Sequence, residues 1–88
     1  MNRYGRQARE HYRRHRPRTL AGMDDPETTF TEIGEALATQ IEERARSLAG
    51  QAPPGEGYLA TLQQLNSARF QAESEVLREE LLLETDER

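Results

Sequence analysis

The sequence has no cysteine, and that absence removes disulfide bridges and thiolate zinc sites from the means of holding 88 residues together. It also fits a reducing cytoplasm, the expected location. Lysine is missing too: all 12 basic residues are arginine, which a GC-rich coding bias produces as readily as a chemical requirement does. Long apolar runs are lacking. The longest stretch of large apolar residues is Leu81-Leu82-Leu83, far below the ~18 needed for a bilayer span, and no apolar signal-like segment follows the Arg-rich beginning. Leu, Ile, Val and Phe together make 15 of 88 residues, about 17%, under the ~20% at which composition begins to resemble that of disordered chains. So thin a core, without disulfides, calls for a metal, oligomerisation or a partner to hold it.

What is present is charge, and it is segregated. Residues 1–19 carry seven Arg against Glu10, a balance of +6, whereas residues 20–54 and residues 55–88 each balance at −5. The net −4 therefore hides a basic arm attached to an acidic remainder. The expected organisation is a basic N-terminal helix or arm over 1–19 and an acidic helical hairpin over 20–88.

Apolar periodicity predicts three helices and an all-α fold. In the first, about Tyr4–Arg16, Tyr4, Ala8, His11, Tyr12 and His15 share a face, and Pro17 ends it. Residues Arg18–Met23 then connect, with Leu20 and Met23 turned toward the body. The second helix, about Asp25–Ala49, opens with Asp24 or Asp25 as cap, a capping-box spacing from Asp24 to Glu27, and Pro26 in the tolerated first turn. Its stripe is Phe30, Ile33, Leu37, Ile41, Ala45 and Leu48, with Gly34 beside it allowing close approach of another helix and Gly50 at the C′ position. Pro53-Pro54-Gly55-Glu56-Gly57 is a loop, short enough to make the flanking helices antiparallel neighbours. The third helix, about Tyr58–Glu84, is free of Pro and Gly and rich in good helix formers, with Thr85–Arg88 fraying after it.

That third helix has two apolar stripes, about 120° apart at α-helical spacing. Tyr58, Leu65, Ala72, Val76 and Leu83 form one; Leu59, Phe70, Leu77 and Leu81 form the other, with Leu62 between. Two stripes imply two packing neighbours. Asn66, Arg69, Glu73 and Glu80 lie between them, with Arg69 and Glu73 at ion-pair spacing. The four read as a polar seam fixing helix register, or else Asn66, Arg69 and Glu73, with Phe70, Leu77 and Leu81, form a protein-binding patch.

A competing site is the arm. Arg6, Arg9, Arg13, Arg14, Arg16 and Arg18, interleaved with Tyr4 and Tyr12, have the combination of phosphate contact and base stacking used by nucleic-acid binders. The same charge can equally fold over the chain's own acidic faces or meet a protein. His11 and His15 lie one helical turn apart, but Tyr12 stands where H-E-x-x-H needs Glu, so no metal site is expected. Ser47, Ser67 and Ser74 lack an elbow motif, and there is no Gly-rich phosphate cradle. No enzymatic activity, cofactor or small-molecule substrate is expected.

Leu65-Asn66-Ser67-Ala68-Arg69, preceded by Gly57-Tyr58-Leu59 and followed by Ala72-Glu73, resembles a pattern in small uncharacterised accessory proteins of high-GC bacterial mobile elements. The resemblance implies a phage, plasmid or genomic-island setting, including components or inhibitors of defence systems. The expected function is a non-enzymatic protein-interaction module, as a subunit or an oligomer. The alternatives are a nucleic-acid-binding accessory protein and an acidic inhibitor of a nucleic-acid-binding enzyme. Protein partners or self-association come first, nucleic acid second, and no membrane partner is expected.

Overall fold

A computed structural model describes residues 1–51 and 57–82. Among these, 91% are helical and none is in a strand, so the fold is all-α. The elements are α1 (Arg3–His15), α2 (Pro17–Ala21), α3 (Pro26–Gln51) and α4 (Gly57–Leu77), and α4 runs on into a π-helical turn over Arg78–Leu82. The predicted loop at 53–56 and the predicted helical residues Leu83 and Glu84 lie outside the described residues, as does the fraying expected at 85–88.

Local chemistry explains the boundaries. Asn2 caps α1 by accepting the Gly5 N–H at 2.8 Å, and Arg13, Arg14 and His15 sit in its last turn, where a helix dipole favours positive charge. Pro17 ends α1 as expected, but it also occupies the first position of α2, so the predicted connection is itself a short helix. Asp25, not Asp24, caps α3: it accepts the Thr28 N–H at 3.2 Å and the Thr28 hydroxyl at 2.6 Å, so the Asp24-to-Glu27 box is not used. Gly50 lies within α3, which continues to Gln51, and is not its C′ residue. Gly57, the first residue of α4, has φ of 79°, a left-handed value that glycine alone adopts without steric cost.

α3 and α4 pack as the antiparallel pair, and α1 lies across α3. Phe30, Leu37 and Ile41 of α3 meet Ala72 and Val76 of α4 in the core, all at most 2% exposed, with Ala8 of α1 at 0%. Leu20 and Met23 pack against this cluster, as the sequence predicts. The α1–α3 crossing is a backbone contact. A Cβ on Gly34 would fall 2.7 Å from the Gly5 nitrogen and 2.9 Å from its Cα, and would collide with Asn2 Oδ1, the atom capping α1. One missing methyl on α3 therefore permits both the close approach and the cap. A Cβ on Gly5 would meet the Phe30 carbonyl oxygen at 2.5 Å, so the pair excludes side chains from both directions.

The π turn corrects the second stripe of the third helix. In continued α-helix, Leu81 would stand on the outer face with Phe70 and Leu77. The wider turn brings residues five apart over one another, so Leu81 follows Val76 into the core and is 7% exposed.

Candidate protein interface

The predicted patch divides once the helices are placed. Leu81 is buried and Leu77 is half-buried against the core, so neither offers an open surface. Arg69 pairs with Glu42 of α3 rather than with Glu73. Glu73 instead accepts the Tyr4 hydroxyl at 2.8 Å and Arg3 Nη2 at 2.5 Å, tying α1 to α4. On the opposite flank, Arg44 of α3 reaches Glu75 of α4 and Glu79 of the π turn, each at 3.0 Å. These pairs join α1, α3 and the α4 end of the chain through polar side chains.

The titration shifts follow from the same contacts. The hydrogen bonds that Arg44 donates to Glu79 first, then to Glu75, raise its pKa, and the one that Arg69 donates to Glu42 raises that of Arg69. Arg44 in turn lowers the Glu79 carboxyl. Burial, then the hydrogen bond to Glu73, pushes the Tyr4 phenol upward.

Phe70 has a different environment. It is 73% exposed midway along α4, Leu59 on the same face is also 73% exposed, and Asn66 between them faces solvent. Tyr58 (77%) and Leu65 (50%), predicted to face a neighbour, are uncovered as well. From Gly57 to Ala72 the only charged residue is Arg69, in a chain that is 32% charged. Beside Phe70 a groove of about 640 Å³ runs between the end of α3 and the start of α4, lined chiefly by Leu48, Ala60, Gln63, Gln64, Ser67 and Gln71. No charged side chain lines it. Apolar periodicity picks out Leu59 and Phe70 on this surface, and the local drop in charge is the further sequence signal for the groove beside them.

The arm takes a defined position. The apolar face of α1 is spent on packing: the Tyr12 ring meets Phe30 edge-on at 5.2 Å between centroids, and the Tyr4 hydroxyl is held by Glu73. Arg3 and Arg16 lie over the Tyr4 and Tyr12 rings, at 5.0 and 5.3 Å from their centroids. Arg6, Arg9, Arg13, Arg14 and Arg18 are exposed on the outer side, with Arg13 and Arg14 sharing Glu10 and Arg6 donating to the Met1 carbonyl. The Glu10 carboxyl is held down at about 2, chiefly by the Arg13 hydrogen bond. His11 and His15 stack at 4.8 Å, and no group of three metal-ligating side chains occurs among the described residues. None of the described helices is long and apolar enough to cross a membrane.

Comparison with protein families, curated proteins and solved structures finds no match.

Proposed function

We propose that the chain is a non-enzymatic protein-interaction module of the cytoplasm, working within an assembly and docking through the open end of the α3–α4 hairpin. The observation that carries this reading is Phe70, 73% exposed on a regular helix and flanked by an uncharged groove. Interface centres are depleted in charge and enriched in aromatic side chains, whereas ordinary helix surfaces are charged. The resemblance of residues 57–73 to mobile-element accessory proteins supports a phage, plasmid or island setting. A photoactivatable benzophenone residue at position 70, expressed in the native host, tests the interface: adducts are expected there and not from the same residue at Glu35, which is exposed on α3. Equal yield at both positions, or none at either, would refute it.

The outward arginines support a second reading, contact with nucleic-acid phosphates. Because Tyr4 and Tyr12 are held in internal contacts, such binding would rest on charge without base stacking. Duplex binding should then weaken with salt by about −0.9 in log–log slope per phosphate contact, and Arg13→Ala with Arg14→Ala should flatten that slope. No gel shift at micromolar protein in low salt would dismiss it. The acidic-inhibitor reading has less support, since Glu42, Glu73, Glu75 and Glu79 are engaged by arginines of neighbouring helices.

A further inference from the structure

We infer that the occupant of the open end is a second copy of this chain, paired antiparallel along α4 with Phe70 of each copy seated on Ala60 of the other. The inference rests on the interface reading above and adds the identity of the partner.

Charge is the first argument. A two-fold interface sets a patch against itself, so a charged patch meets its own sign. The chain is net −4, and its ends and flanks are rich in Arg and Glu. Leu59, Gln63, Ser67, Phe70 and Ser74 share one outward face of α4 that carries no charge at all. A foreign partner selected by electrostatic complementarity would find nothing there to complement. A second copy meets no repulsion there.

Size is the second. With a two-fold axis crossing the outward face of α4 at the level of Leu65 along the helix, positions equally far from it in opposite directions face each other. Phe70, the bulkiest residue of the face, then opposes Ala60, a small residue of the groove at its edge. Ser67 opposes Gln63, a hydroxyl against an amide, and Leu59 lies along the aliphatic stem of Gln71. The groove beside α4 is lined by Ala60, Gln63, Ser67 and Gln71, the residues that this register sets opposite the outward side chains.

Length is the third. The 21 residues of α4 extend about 31 Å at ~1.5 Å per residue, and two such faces bury on the order of 1,000 Å² in total, the lower bound for a specific interface. The product is a four-helix arrangement, in which each hairpin supplies the covering helix that the described residues of the other do not provide at this end.

Light scattering on the purified full chain at about 100 μM is the test, with a mass twice the 10.1 kDa of one chain expected. Phe70→Glu should weaken the dimer by about 30-fold or more, the scale of an interface hot spot. Its helical circular dichroism should stay unchanged, because Phe70 lies outside the core. Gln63→Cys combined with Ser67→Cys should give disulfide-linked pairs on oxidation, cleanly, since the chain has no cysteine of its own. A monomer at that concentration, or a dimer indifferent to Phe70→Glu and not linked by the cysteines, would overturn the inference. The benzophenone at position 70 separates the two failures. An adduct of doubled chain mass supports the second copy, an adduct to another protein overturns it and leaves the interface standing, and no adduct overturns both.

Discussion

The two ends of the α3–α4 hairpin are built from one pair of helices, yet they differ in what covers them. At one end α1 lies across α3, and Phe30, Leu37, Ile41, Ala72 and Val76 are at most 2% exposed. At the other there is no third helix among the described residues; Leu48 is half-buried and Leu65 is 50% exposed on the same seam. A two-helix pair shields its contact line but not the flanks of the side chains along it, and a third helix closes them. The charge distribution follows this division: ion pairs surround the covered region, and the uncovered stretch of α4 carries Arg69 alone.

The sharpest way to break this contrast is to delete the same side chain at each end. Leu37→Ala should cost about 2–5 kcal/mol in urea denaturation, because the cavity opens inside packed surroundings. Leu65→Ala should cost less than about 1 kcal/mol at concentrations where the chain is monomeric, since half of that side chain already meets water. Equal losses would mean that the ends are equally packed. A smaller effect is expected from Gly34→Ala, about 1–3 kcal/mol of overpacking relieved only by separating α1 from α3. Hydrogen exchange should then rise in α1 and leave the protection of α4 unchanged. Tyr4→Phe removes the hydroxyl held by Glu73 and should cost about 1 kcal/mol, again loosening only the covered end.

The smallest effect is expected from acid. The carboxyls of Glu10, Asp25 and Glu79 are lowered in the folded chain by Arg13, Thr28 and Arg44 respectively. Lowered carboxyls contribute stability that is complete above their unfolded values and lost as pH falls through the folded ones. The urea midpoint should therefore hold near neutrality and decline from the ordinary carboxylate range toward pH about 2, where Glu10 titrates. A midpoint that rises on acidification would contradict these pairings.

The parts of the fold legible in the sequence are those set by neighbours a few residues away. Pro26 and Asp25 announce the start of α3, the Phe30-to-Leu48 spacing gives its buried stripe, and Gly34 beside that stripe marks the close crossing. What the sequence hid depends on distant partners. Arg69 has Glu73 four residues away but chooses Glu42 across the seam, while Glu73 is taken by Tyr4 and Arg3 from nearly seventy residues earlier. Leu81 was misplaced because a constant α-helical period cannot register a local change of pitch. Of the patch residues chosen from the pattern, Phe70 and Asn66 face outward; Tyr58, Leu59 and Leu65 join them because nothing among the described residues covers them.

The π turn has a consequence for how this chain tolerates changes of length. A π turn amounts to a helix carrying one surplus residue, and the surplus here falls within Arg78–Leu82, where a run of three leucines begins. Deleting Glu79 or Glu80 would return the helix to α pitch and advance the rest by one place, and the residue four positions after Val76 would in either case be Leu81. Because positions 81, 82 and 83 are all leucine, the loss of one or two residues ahead of them still presents leucine to the core, and this stretch should absorb single-codon losses that would be ruinous at the Gly5–Gly34 crossing.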